Sequence, residues 1–171
     1  MTHGETILLR LLARRDMHGY ELDHIIEENR MRQWADIGFS SIYSILNKLD
    51  GKGLVESYYV KGAGAPRRKV YRITSDGSEA LREAVLKMLA QPAQVHDDFA
   101  VGLVTSDVLS DEEFRGCLKV YRDRLIERKN LFEREIPERS REKERVALAI
   151  ERAGHLLDAE IRWLDKQQPK G

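Results

Sequence analysis

Cysteine is almost absent from this chain: Cys117 stands alone in 171 residues, which excludes an intramolecular disulfide and suits a reducing compartment. Net charge is absent too, since 29 Lys and Arg balance 29 Asp and Glu. No global field then draws the protein to nucleic acid, and any such binding must rest on a local patch. No apolar run approaches the roughly 20 residues of a membrane span. The first residues pass straight into a helical pattern, so no signal peptide is expected and a cytoplasmic location is. Histidine is scarce. His96, Asp97 and Asp98 superficially look like a metal-phosphate hydrolase pair, but His155 is isolated on a later helix, and neither a metal nor a cofactor is expected. A Gly-rich phosphate loop and a nucleophile elbow are both missing, which argues against an enzyme. At this length the chain can bury one good core, or one small domain plus a helical appendage.

A local basic patch is present. Lys61, Arg67, Arg68, Lys69 and Arg72 fall in a stretch, residues 61–72, that holds no Asp or Glu. It sits within residues 40–74, which read as a short helix with a hydroxyl-rich face, a strand, a tight turn and a second strand. That order is a helix followed by a β-wing. Ahead of it, Ile7, Leu8, Leu11 and Leu12 give a first helix, and Leu22, Ile25 and Ile26 face inward on a second that opens at His18. Ser40 or Ser41 can cap the third, whose apolar members are Ile42, Ile45, Leu46 and Leu49. Gly51 or Gly53 ends it. Residues 54–60 and 70–73 are rich in β-formers, and Thr74 or Ser75 starts a further helix through Leu81, Val85, Leu86 and Leu89 that Pro92 interrupts. The expected fold is mainly α with a small β-wing: a winged helix-turn-helix domain over residues 1–91 and a C-terminal helical dimerisation arm over residues 92–171.

The arm carries two long helices separated at Pro137. Ser110 and Glu113 form a capping box, and Phe114, Cys117, Leu118, Tyr121 and Leu125 continue a helical stripe on which Cys117 is expected to pack as a small hydrophobe. The last helix repeats Val146, Ile150, Ala153, Leu157, Ile161 and Leu164 at steps of three and four. Leu156 and Trp163 widen that stripe beyond what one neighbouring helix covers, so a second subunit is the economical partner, with intramolecular packing as the alternative.

Four strings now point to a family. His18-Gly19-Tyr20-Glu21-Leu22, Ser41-Ile42-Tyr43-Ser44-Ile45-Leu46-Asn47-Lys48-Leu49, Gly53-Leu54-Val55-Glu56-Ser57 and Arg67-Arg68-Lys69-Val70-Tyr71-Arg72-Ile73-Thr74-Ser75-Asp76-Gly77 resemble the PadR family of transcriptional regulators. The second half, ending Glu160-Ile161-Arg162-Trp163-Leu164, is similar to the helical dimerisation region of long-armed members. The resemblance implies a homodimeric winged-helix repressor, or less often an activator, that binds a palindromic operator and releases it to a small-molecule effector. The short tip ahead of the arginines, residues 61–66, does not suit deep insertion into the minor groove.

Side-chain chemistry assigns the roles. Ser40, Ser41, Ser44, Asn47 and Lys48 are the groove-facing candidates, because Asn pairs with adenine, Lys reaches guanine, and Ser serves bases or phosphates. Lys61, Arg67, Arg68 and Lys69 would neutralise the backbone beside the groove. Tyr20 and Tyr43 either donate hydroxyls to phosphate or brace the helices that carry them. Trp34, Phe39, Phe99, Tyr121 and Trp163 either line an effector cavity or form ordinary core. Double-stranded DNA and a second copy are the expected partners. A winged-helix scaffold that binds protein instead of DNA is the alternative, and it would be indifferent to Arg67 and Arg68.

Overall fold

The computed structural model of the protein describes residues 1–29, 31–33, 37–61, 67–92, 97–133 and 141–167. They form two compact units, Met1–Gln94 and Val95–Gly171.

In the first unit, α1 (His3–Leu12) starts with a capping box: the Glu5 amide donates to Thr2 Oγ1 at 3.2 Å and the Thr2 amide donates to Glu5 Oε2 at 2.8 Å. Helices α2 (Gly19–Glu28) and α3 (Phe39–Gly51) follow, then strands β2 (Val55–Val60) and β3 (Arg68–Ile73), and α4 (Ser75–Ala90). The core is one cluster. Leu8, Leu9, Leu11 and Leu12 of α1 meet Leu22 and Ile26 of α2 and Ile42, Leu46 and Leu49 of α3, closed by Ile37, Met17, Val55 and Tyr71. The three α3 members recur at steps of four and three, so one face of that helix is committed to the core and the opposite face is left to solvent.

A third strand was not legible in the sequence. Met17–His18 forms β1, and the sheet order is β1-β3-β2, antiparallel throughout, with Met17 opposite Tyr71 and Val55 to Val60 opposite Ile73 to Arg68. His18 therefore opens the second helix as its N-cap while also closing a strand, its Nδ1 accepting the Glu21 amide at 3.0 Å. The expected cap of α3 needs correction: the helix starts at Phe39 with extended Gly38 at the N-cap and no side-chain cap bond, so neither Ser40 nor Ser41 caps it. At the other end Gly51 is still helical and Gly53, at φ +71°, takes the left-handed position. Thr74 caps α4, its hydroxyl accepting the Gly77 amide at 3.0 Å.

The second unit contains α5 (Asp98–Val104), a 3-10 turn at Ser106–Val108, α6 (Asp111–Glu133) and α7 (Arg141–Gln167). The short helix α5 was not anticipated. It is capped by Asp97, whose carboxylate accepts the Ala100 amide at 2.6 Å, so this acid has a structural task of its own, and His96 lies outside the described residues. Ser110 and Glu113 form the expected capping box of α6, amide to carboxylate at 2.8 Å and amide to hydroxyl at 3.3 Å. Leu118 and Leu125 pack with Ile150, Leu157 and Leu164, and Phe99, Leu103, Phe114, Tyr121, Ala153 and Ile161 surround them. Cys117 is a correction, because it is exposed. The buried stripe of α6 runs through residues 114, 118, 121 and 125, and Cys117 falls one position aside of it. Pro137 lies outside the described residues. Among those residues, no helix is long and apolar enough to cross a membrane.

Candidate nucleic-acid interface

The solvent face of α3 holds Tyr43, Ser44, Asn47 and Lys48, all exposed, with Ser41 half-buried at its edge. The side chain of Ser40 lies outside the described residues. Spacing of one and four residues places these groups on a single strip, on the side of the helix opposite the core face of Ile42 and Leu46. Tyr43 is braced: a Cβ added at Gly19 would lie 2.6 Å from its ring Cε1, so the ring rests on the first residue of α2 at a distance only glycine permits. Tyr20, one residue further along α2, is 67% exposed and is the freer of the two hydroxyl-bearing rings.

The wing sorts its cations into two sets. Arg72 is engaged by Asp16, with Nε at 2.9 Å and an amino nitrogen at 2.7 Å, lies over the Tyr58 ring at 5.3 Å, and has Glu56 at 3.7 Å. Tyr58 donates its hydroxyl to the same Asp16 oxygen at 2.7 Å. Hydrogen bonds from Arg72 first, and from Tyr58, hold the Asp16 carboxyl below its ordinary range. Lys69 is also partnered, 3.5 Å from Asp50 and 5.0 Å above the Tyr71 ring, while Asp50 further accepts the Ser57 hydroxyl at 3.3 Å. The stretch without local acids thus receives carboxylates from the α1–β1 turn and from α3. Among the described residues, no carboxylate pairs with Lys61, Arg67 or Arg68, and all three are exposed. Arg67 instead lies 5.6 Å from the ring of Tyr59, which is 62% exposed. Residues 62–66, the wing tip, lie outside the described residues.

Two groups of this region escaped the sequence reading. Tyr59 was visible only as a β-former, and its value as a platform for Arg67 depends on strand register. Glu5 was visible in principle, since Thr2 and Glu5 have capping-box spacing. It is 2% exposed, and its Oε1 lies 2.8 Å from Lys52 Nζ and 3.5 Å from Lys48 Nζ. Burial pushes its carboxyl upward, but the hydrogen bonds from Lys52 and the Thr2 amide, with the charges of both lysines, outweigh burial and leave it at about 2.

In the second unit, Phe99 stacks on Tyr121 at 3.9 Å and 6°, and meets Trp163 edge-on at 6.3 Å and 90°. Tyr121 donates to Glu160 at 2.8 Å, and burial together with that bond raises its phenol to about 12. Three of the five aromatics considered for an effector cavity therefore come together around the α6–α7 core. Trp34 and the side chain of Phe39 lie outside the described residues. Of the stripe considered for dimerisation, Ile150, Ala153, Leu157, Ile161 and Leu164 are packed within the chain, whereas Val146, Leu156 and Trp163 are 44%, 53% and 42% exposed. Leu148, at 63%, joins the exposed set. No group of three or more His, Cys, Asp or Glu that could hold a metal occurs among the described residues.

A helix-turn-helix pair over a small antiparallel sheet, with the β2–β3 hairpin directly after α3, defines a winged helix-turn-helix protein. Residues 8–83 match the family described as the transcriptional regulator PadR-like family. An uncharacterised protein X of Lysinibacillus sphaericus is 36% identical over 101 residues, 59% of this chain and 91% of that one. The chain belongs to the PadR-like family, whose members are regulators of transcription and not enzymes. Its fold extends the likeness across both units. Bacillus subtilis PadR in complex with operator DNA superposes with a TM-score of 0.74 at 18% identity over 95% of each chain. The same protein in complex with p-coumaric acid gives 0.74 at 20% identity over 95% of this chain and 94% of that one. The Vibrio cholerae virulence activator AphA gives 0.68 at 21% identity over 95% and 94%.

Proposed function

We propose that the protein is a homodimeric repressor that binds a palindromic operator through residues 1–91, dimerises through residues 92–171, and releases DNA when a small molecule binds. The observation that carries the DNA reading is the exposed polar strip of α3 next in sequence to a wing whose Lys61, Arg67 and Arg68 have no carboxylate partner among the described residues. In this reading Asn47 and Lys48 meet base edges in the major groove, Ser40, Ser41 and Ser44 serve bases or phosphates, and Tyr20 and Tyr43 donate to phosphate. Lys61, Arg67 and Arg68 neutralise the backbone. Lys69, tied to Asp50, contributes less than its position in the sequence suggests. The structure of Bacillus subtilis PadR with operator DNA supports operator binding, and the one with p-coumaric acid supports an effector.

The test is fluorescence anisotropy across a salt series, with Arg67→Ala, Arg68→Ala beside the wild type. The double variant is expected to bind more weakly and to lose up to about 1.8 from the salt slope, since each lost phosphate contact removes about 0.9. An unchanged slope and affinity would favour a scaffold that binds protein. Dimerisation is tested separately. Leu148→Glu with Leu156→Glu leaves the packed α6–α7 stripe alone and places two charges on the exposed face, so sedimentation equilibrium should report a monomer with its helical content retained. A persistent dimer would move the interface elsewhere. Half-sites one or more helical turns apart are expected in the operator.

A further inference from the structure

Glu5 has more chemistry than its helix cap requires. One carboxylate oxygen, Oε2, completes the capping box with the Thr2 amide. The other, Oε1, faces Lys52, the residue that caps the end of α3, and Lys48 of that helix, 2.8 Å from Lys52 Nζ and 3.5 Å from Lys48 Nζ. The carboxylate is 2% exposed, yet the two lysine side chains remain 44% and 58% exposed, so their ammonium groups lie between a buried anion and solvent. One negative charge is shared by two positive ones. Lys48 makes the longer and weaker of the two contacts, and it belongs to the strip that also presents Ser44 and Asn47.

We propose that Glu5 is a positioning residue for DNA recognition, which holds Lys48 and Lys52 back from the phosphate backbone and so limits binding to sequences that the rest of α3 fits. The inference rests on α3 being the DNA-facing helix. Attraction to phosphate is independent of sequence, so every cation freely offered to it strengthens binding to all duplexes alike. A lysine anchored to a buried carboxylate must give up that contact to reach DNA. Where Asn47 and the serines are well matched the exchange is offset by their bonds to base edges, and where they are not the lysine stays with Glu5.

The experiment uses the full chain and two duplexes, one selected by the wild type from a random pool and one of scrambled sequence. Glu5→Gln retains an oxygen for the Thr2 amide and removes the charge. It is expected to steepen the salt slope on scrambled DNA by about 0.9 to 1.8, the release of one or two lysines, and to lower the ratio of selected to scrambled affinity several-fold. A purely structural role would weaken both duplexes together and leave the slope alone. Lys48→Met with Glu5 intact supplies a measurement that does not depend on the folding of the Gln variant. Because Lys48 is already held back, its loss should change the scrambled-DNA slope by well under 0.9, and a full change of about 0.9 would overturn the proposal. The same series includes Arg67→Ala, Arg68→Ala. Wild-type binding that responds to the arginine pair, with folded Glu5→Gln unchanged in slope and ratio, defeats the Glu5 inference alone. Failure of the wild type to bind any duplex defeats the DNA reading and this inference with it.

Discussion

Alanine at Gly77 is expected to destabilise the winged unit by about 3 kcal/mol, a loss of roughly 10–20 °C in Tm for a domain of this size. Gly77 lies in the first turn of α4, where alanine would ordinarily improve a helix by about 0.5–1 kcal/mol. Space decides against it. A Cβ there would sit 2.0 Å from the carbonyl oxygen of Leu54 and 2.9 Å from both the Leu54 carbonyl carbon and Ile73 Cγ1. The Leu54 oxygen cannot simply retreat, because it accepts the Thr74 amide at 3.2 Å and so joins the entry of β2 to the start of α4. Relief of the clash would displace α4 from the sheet or break that bond. Gly51→Ala is the matched control, since nothing lies within 4 Å of the added carbon, and it should be neutral or slightly stabilising. Urea unfolding of the two variants side by side checks the argument. Equal midpoints would mean that the close approach of α4 to Leu54 is not a constraint.

The second large effect is a dependence on acidity that Glu5→Gln should remove. The Glu5 carboxyl has its ordinary value near 4.5 in the unfolded chain and about 2 in the folded one. A group with a depressed folded value stabilises the fold above its unfolded value, so the full contribution is present above about pH 4.5 and is lost as pH falls toward 2. The displacement corresponds to about 3 kcal/mol. Asp16 is also held low, by Arg72 and Tyr58, so the wild-type acid limb contains more than one carboxylate. The difference between wild type and Glu5→Gln isolates the one of interest. It should be about 3 kcal/mol at pH 6 and shrink steadily toward pH 3 in denaturant titrations. A gap that stays constant with pH would assign the loss to packing or capping instead of charge.

How much could be read from the sequence follows from the range of each interaction. The α3 strip was legible because helical spacing alone separates Ile42, Leu46 and Leu49 from Tyr43, Ser44, Asn47 and Lys48. The Ser110 cap was legible because its partner Glu113 lies three residues away, whereas the start of α4 stayed open between Thr74 and Ser75 until the structure placed Thr74 at the cap. Strand β1 was not: two residues show no alternation, and only pairing with Val70 and Tyr71 makes Met17 and His18 a strand. Partition of the wing cations was equally hidden, since Asp16 reaches Arg72 across 56 positions. Along the chain the segment looked uniformly basic, whereas in space Arg72 and Lys69 are largely spoken for. The arm shows the converse. Periodicity found the α7 stripe correctly but could not say which of its members α6 already covers.

The exposed thiol on α6 has a practical consequence. Each chain holds one cysteine, Cys117, and it reaches solvent. A maleimide dye or a nitroxide will therefore attach at one site without any background substitution. Counting bleaching steps on single particles then gives the number of chains per DNA duplex directly, and the spin–spin distance between two such labels measures how far apart a pair of arms is held.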